Sequence, residues 1–378
     1  MTVRLLQTGD WHLGCPFRQI PGDAGAGLRE RRLQVVREIA ALAAARAVDA
    51  VLVAGDVFDS QHVDDAVLRR ALAALAGFPG PWILLPGNHD AALAESVWTR
   101  ARRIGLPAGV VVAERAEPLA IAGGRAVVLP APLRARRTPD DPTAWMDTAP
   151  SEPGVLRVGL AHGVVEGLRA EPEAADNPIA RDRAARARLD WLAVGDRHGT
   201  LEAAPRTWYA GTPEPDGFRY ENAGNVLLVE LDGPGAPPRV ETVPLGHYRW
   251  QELALDLVPL PAAELRARLD GRLAELGPPE RAVVRLELSG SVDLSGRRAL
   301  DEALERWRAR LHHLEVEAEA LLLLPGGAEL AALDDGGPLG ACARRLAEAA
   351  LRGPEANRAT AALALRLLWQ ERARLAAA

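Results

Sequence analysis

Short apolar runs recur along the first half of the chain, and each breaks off just before an acidic or histidine residue. Val3-Arg4-Leu5-Leu6, Val51-Leu52-Val53, Ile83-Leu84-Leu85, Val158-Gly159-Leu160 and Trp191-Leu192-Ala193-Val194 have the length and composition of buried strands. Between the first three, apolar positions return at helical spacing. Leu33, Val36, Ile39, Ala40 and Ala43 mark a helix within Leu28–Arg46, and Val67, Leu68, Ala71, Leu72 and Leu75 mark another within Asp64–Ala76. The pattern predicts βαβαβ, an α/β sheet with helices on its faces. After Asp90 the elements shorten. Val110–Val112, Leu119–Ile121 and Ala126–Leu129 read as strands, the last two joined by a turn at Gly123-Gly124. Thr138–Gly154, rich in Pro, Asp and Ser, reads as a surface loop. Thr207–Ala210, Val226–Leu231 and Val240–Val243 are further strands.

The first domain is expected to end near His247. A second βαβαβ-like unit follows over 248–322: strand Trp250–Leu257, helix Pro261–Leu276, strand Ala282–Leu288, helix Ser295–Leu311 with Ser295 as its cap, and strand Leu314–Ala320. The remainder, 323–378, alternates loop and helix. Its last helix carries an apolar stripe of Leu363, Leu367, Leu368 and Trp369.

Polar residues gather where the five strands stop: Asp10-Trp11-His12, Gly55-Asp56-Val57-Phe58-Asp59, Gly87-Asn88-His89-Asp90, Ala161-His162-Gly163 and Gly195-Asp196-Arg197-His198. That strand edge is where open α/β sheets bind ligands. Asp, Asn and His drawn to it from five segments are the ingredients of a metal site. A pair of divalent ions needs a bridging carboxylate and about three further ligands each. Asp10 and His12 alternate on one side of an extended segment, and Asp56 has the two oxygens that a bridge requires. Asn88 and His162 suit a second ion, while Asp196 and His198 can each serve one. Carboxylate, amide and imidazole without thiolate favour manganese, iron or zinc over calcium.

Composition adjusts this picture modestly. A net charge of −6 argues against a protein that coats nucleic acid through a general basic surface. It does not exclude DNA, because carboxylates holding two cations are locally far less negative. Arginines cluster at Arg29–Arg32, Arg100–Arg103 and Arg134–Arg137, each read as a solvated face that could meet phosphate. Two cysteines, Cys15 and Cys342, are too few for a disulfide framework. With no signal peptide and no spanning segment, a reducing cytoplasm is the expected compartment, without membrane contact.

The five clusters resemble those of the calcineurin-like metallophosphoesterases: D-x-H, G-D-x-x-D, G-N-H-[DE], a lone H, then G-H-x-H. The match covers roughly the first 250 residues. Within that superfamily the chain is most similar to the SbcD-type DNA repair exonucleases, through Leu6-Gln7-Thr8-Gly9-Asp10-Trp11-His12-Leu13-Gly14, Tyr209-Ala210-Gly211-Thr212-Pro213-Glu214 and the small α/β unit that would cap the core. The resemblance implies an α+β sandwich with two divalent ions, manganese foremost. Asp10, His12, Asp56 and His198 would hold the first, and Asp56, Asn88, His162 and Asp196 the second. His89 would contact the scissile phosphate as a catalytic residue, with Asp90 orienting its ring. Asp196 stands where the family most often has His. Double-stranded DNA ends as substrate and an SMC-like coiled-coil ATPase as partner are also implied, and a homodimer is left open. The five motifs define chemistry and not substrate, so a small-molecule phosphodiesterase or phosphatase, or a non-catalytic DNA-end-binding scaffold, are the competing readings. Of the neighbours, Trp11 is read as packing under the site or stacking on a base, Asp59 as bracing the turn after Asp56, and His62 and the His312-His313 pair as structural.

Overall fold

A computed structural model of the chain describes residues 2–168, 176–258, 260–324, 330–331 and 336–376. It divides into two compact units, Met1–Tyr248 and Arg249–Ala378. In the first, β1 (Val3–Thr8), β2 (Ala50–Val53), β3 (Trp82–Leu84) and β4 (Val110–Val112) lie side by side and parallel. Helices α1 (Gly22–Ala45), α2 (Asp65–Leu75) and α3 (Val97–Ile104) connect them in turn. Because the strand order always advances in one direction, right-handed crossovers put all three helices on one face of the sheet. The sequence pattern leads one to expect helices on both faces; the second face is instead covered by another sheet.

That second sheet begins with the hairpin β5 (Leu119–Ile121) and β6 (Ala126–Ala131), turned through a short 3-10 segment at Ala122–Gly124. It continues through β7 (Leu156–His162), and after a small ribbon of β8 (Val164–Val165) and β9 (Pro178–Ile179) and the short helix α4 (Arg183–Arg186), through β10 (Trp191–Gly195), β11 (Leu201–Ala204) and β12 (Thr207–Tyr209). The chain then returns to the first sheet as β13 (Asn225–Leu231) and β14 (Arg239–Pro244), with β13 antiparallel to β1. Alternation along the strands serves three apolar layers. Leu6, Val51 and Val53 face the helices, and Leu5, Leu52 and Ile83 meet Val158, Leu160 and Trp191 between the sheets. Leu129, Leu192 and Val194 face Met146 and Ala184 on the far side. Met146 and Thr143 are buried, so the Thr138–Gly154 loop is packed against the sheet rather than lying loose on the surface.

The second unit is a parallel three-stranded sheet of β15 (Arg249–Leu257), β16 (Ala282–Val292) and β17 (His313–Leu323), crossed by α5 (Ala262–Ala274) and α6 (Leu294–Arg308). The cap of α6 is Asp293, whose side chain accepts from the Gly296 N–H at 2.7 Å, and Ser295 lies inside the helix. Helices α7 (Pro338–Arg352) and α8 (Glu355–Ala376) pack through Ala343, Ala350, Ala361 and Leu365, joined by Leu368 and Trp369. Leu363 and Leu367 of the anticipated stripe stay about half exposed, at 46% and 50%. Part of the loop expected after Gly326 lies outside the described residues.

Candidate metal centre

The segments leaving β1, β2, β3, β7 and β10 converge at one edge of the sandwich. β1 and β2 hold their loops together beyond the sheet, with Asp10 N–H donating to Gly55 O (3.0 Å) and His12 N–H to Asp56 O (2.9 Å). Four side chains there sit on left-handed backbone, Asp10 (φ 52°), His12 (43°), Asp56 (51°) and Asp196 (96°). Non-glycine residues adopt this region uncommonly, and such strain concentrates at functional sites. Two glycines give the side chains room. A Cβ on Gly87 would lie 2.2 Å from Asp56 Oδ1, and one on Gly55, itself at φ +90°, would lie 2.2 Å from His162 Nδ1.

The imidazoles are aimed alike. His162 Nδ1 donates to the Ala54 carbonyl (2.8 Å), His89 Nδ1 to the Asp59 carbonyl (2.7 Å) and His198 Nδ1 to Asp216 Oδ1 (2.9 Å). A carbonyl only accepts, so the protons of His162 and His89 sit on Nδ1. Their Nε2 atoms face away from these carbonyls, as a metal ligand or a proton carrier needs, that of His162 lying 2.9 Å from the Asn88 amide. His12 Nε2 lies 3.2 Å from His198 Nε2, and its own Nδ1 is 3.6 Å from Asp59 Oδ1, too long for a hydrogen bond. Asp56 Oδ2 stands 3.7 Å from His12 Nε2 and 3.5 Å from His162 Nε2, between the two groups. Asp196 Oδ1 is 3.7 Å from His162 Nε2, and its backbone N–H donates to Asp10 Oδ1 at 3.0 Å.

The donor set fits divalent cations. The buried Asp10 Oδ2 has no hydrogen-bond partner. The Asn88 oxygen lies 2.9 Å from His162 Nε2 and faces only acceptors. Turned end for end, its amide would donate to Nε2 at 2.9 Å and to the Asp56 oxygens at 3.2 and 2.8 Å. With His162 neutral, the nitrogen-in amide closes the site without a cation and the oxygen-in amide needs one. Asp10, His12 and His198 converge in one group, and Asp10, Asp56 and His162 in another.

Burial raises the Asp10 carboxyl to about 7 despite His162 and His198. At His162 burial opposes the charged form, but Asp56, Asp10 and Asp196 together outweigh it and raise the ring to about 9. Ligation needs neutral imidazole and ionised carboxylate, so the cation must displace these protons. Affinity for manganese should therefore rise with pH by about tenfold per unit between pH 7 and 9 and level off above, as one proton is released. Titration calorimetry in buffers of different ionisation heat reads that proton directly.

Two expectations change. Asp90 does not touch the His89 ring: its oxygens accept from the Gly87 N–H (2.7 Å) and the Phe58 N–H (3.1 Å), pinning the two ligand loops together. Burial and the nearby Asp56 raise it to about 7. The ring is oriented by the Asp59 carbonyl. Trp11 is buried, edge-on to Trp82, with Nε1 donating to Thr8 Oγ1 at 2.9 Å, which leaves only the packing role.

Asp216 is not singled out by the sequence pattern. Besides holding His198 it meets the buried Arg32 guanidinium at 2.7 Å, and although burial opposes it, Arg32 and His198 keep its carboxyl well below the usual range. Removing it with Asp216→Ala should weaken metal binding by about 10–100-fold, the usual loss for the partner of a ligating histidine. Calorimetry showing wild-type affinity would contradict that role. Arg31 is likewise structural, paired with Glu38 and with buried Glu214, which also accepts from the His247 and Tyr248 N–H groups.

The side chains open onto a cleft of about 370 Å³ lined by His12, Asp56, Asn88, His89, Asp196 and Tyr220, with Asp59, His198 and Asp216 in its wall. Residues 3–200, just over half of the chain, match the family model for calcineurin-like phosphoesterases. The chain belongs to that family. The phosphoesterase is 36% identical over 95 residues to the SbcD component of the SbcCD nuclease from Rhodobacter capsulatus, a match spanning 24% of this chain and 22% of that protein. Purple acid phosphatase PPD1 from yellow lupin (Lupinus luteus) seeds overlays 62% of the phosphoesterase and 50% of its own chain, with a TM-score of 0.39 and 10% identity. Another solved chain overlays 64% of the phosphoesterase and 99% of itself, with a TM-score of 0.41 and 11% identity. Similarity at that level adds nothing to the assignment. No helix among the described residues is long and apolar enough to cross a membrane.

Proposed function

We propose that this phosphoesterase hydrolyses phosphodiester bonds in DNA as an SbcD-like exonuclease. The observation that carries the chemistry is the convergence of Asp56 with the imidazoles of His12, His89 and His198 on one open cleft, and of the buried His162 with Asp56 and Asp10 beside it. The likeness to the SbcD component of the SbcCD nuclease supports the substrate. Asp10, His12, Asp56 and His198 would hold one divalent ion and Asp56, Asn88, His162 and Asp196 the other. Manganese is the first candidate, with iron and zinc as alternatives, and when bound the ions supply Lewis-acid polarisation of the phosphoryl oxygens. His89, its Nδ1–H held by the Asp59 carbonyl, acts as the imidazolium: it gives its Nε2 proton to the leaving oxygen and is left as the neutral Nδ1–H ring. Asp90 keeps the Asp56 and Asn88 loops in register. Three segments fall to distinct tasks: nuclease over 1–247, cap over 248–322, helical partner docking over 323–378. The docking partner is an SMC-like ATPase in the cytoplasm, where the exposed Leu363 and Leu367 would be covered; homodimerisation is part of the same reading.

The test is degradation of end-labelled linear duplex DNA by the purified chain with added manganese. Loss of label that vanishes in His89→Ala supports the reading. Intact DNA beside cleavage of bis(p-nitrophenyl) phosphate would replace it with a small-molecule phosphodiesterase.

A further inference from the structure

Tyr220 lies in a segment that no cluster of the sequence marks. It is the one aromatic residue among the exposed large hydrophobics of the first unit as described, at 40% exposure, and it lines the cleft beside Asn88, His89 and Asp196. Its ring lies against that of His198, centroids 4.6 Å apart and planes inclined by 31°. The open part of the ring is apolar surface, and covering it with a ligand is favourable. Arg197 and Arg219, its neighbours in the loops after β10 and β12, are also exposed and could meet backbone phosphate. We infer that Tyr220 is a specificity-determining residue, a platform on which the nucleobase next to the scissile phosphate stacks. Every base has a π-face, so such a platform selects nucleoside esters over alkyl esters without reading sequence. The inference rests on the phosphodiesterase reading above and sharpens its substrate class.

The experiment compares binding of thymidine 5′-monophosphate and methyl phosphate to the manganese-loaded chain by calorimetry. Wild type and Tyr220→Phe should favour the nucleotide by on the order of tenfold, and Tyr220→Ala should lose that preference with unchanged metal content. An unchanged preference in Tyr220→Ala overturns the inference, as does an equal loss for both ligands, which would mean that the ring only steadies His198. Turnover of bis(p-nitrophenyl) phosphate in the same samples separates the two failures. Turnover kept without nucleotide preference in wild type removes the platform alone. Absence of both turnover and phosphate-ester binding removes the phosphodiesterase reading, and the platform with it.

Discussion

Replacing His89 with alanine is expected to cut phosphodiester turnover by about 10²–10⁴-fold while leaving bound metal unchanged. The ring stands in the cleft wall with Nδ1 fixed on the Asp59 carbonyl, so Nε2 is the only nitrogen able to exchange a proton with substrate. Its backbone N–H donates to Asp56 Oδ1 at 2.9 Å, which ties residue 89 to the Asp56 carboxylate whatever its side chain is. Alanine keeps that backbone bond and removes only the imidazole. His89 also lies within reach of His12 and Asp56 as a third potential ligand. Metal content measured alongside turnover therefore decides its role. A fall in bound metal in His89→Ala would make it a ligand, and unimpaired turnover would end the proton-transfer assignment.

Replacing Asp56 with asparagine should be more damaging. Its Oδ2 lies within 3.7 Å of His12 Nε2 and 3.5 Å of His162 Nε2, so one oxygen faces an imidazole of each group. Asparagine preserves the shape but removes the charge and one acceptor. Metal content by elemental analysis should fall from about two ions per chain to one or fewer, with turnover at or below that of His89→Ala. Retention of both ions would place the bridge elsewhere, with Asp10 next in line as the carboxylate common to both groups.

The gathering of these residues at one sheet edge is legible because each lies at or just after a strand end, where a change from apolar to acidic or imidazole residues stands out against a period-two background. What escapes depends on contacts between distant segments. Asp216 is separated from His198 by β11 and β12, and nothing local distinguishes it from any loop carboxylate. Arg32, one of a run of arginines that reads as a solvated face, is 2% exposed and points inward at Trp11 O and Asp216. Asp90 misleads for a related reason: adjacency to His89 suggests a side-chain partnership, whereas two backbone N–H groups claim its oxygens first. The helices of the first sheet all lie on one face, which is not legible because periodicity reports that a helix has an apolar side but not which sheet face receives it.

The origin of the candidate ligands in the two layers has a mechanical meaning. Asp10, His12, Asp56 and Asn88 are carried by loops of the first sheet, and His162, Asp196 and His198 by those of the second. Between the layers the contact is mainly apolar and without direction, apart from polar links such as Gln7 with Trp191 and Trp208. A cation held by both groups would act as a clasp across that seam. Amide exchange near the strand ends should then report the clasp opening and closing, and the same seam that lets the sandwich breathe governs how firmly its chemistry is assembled.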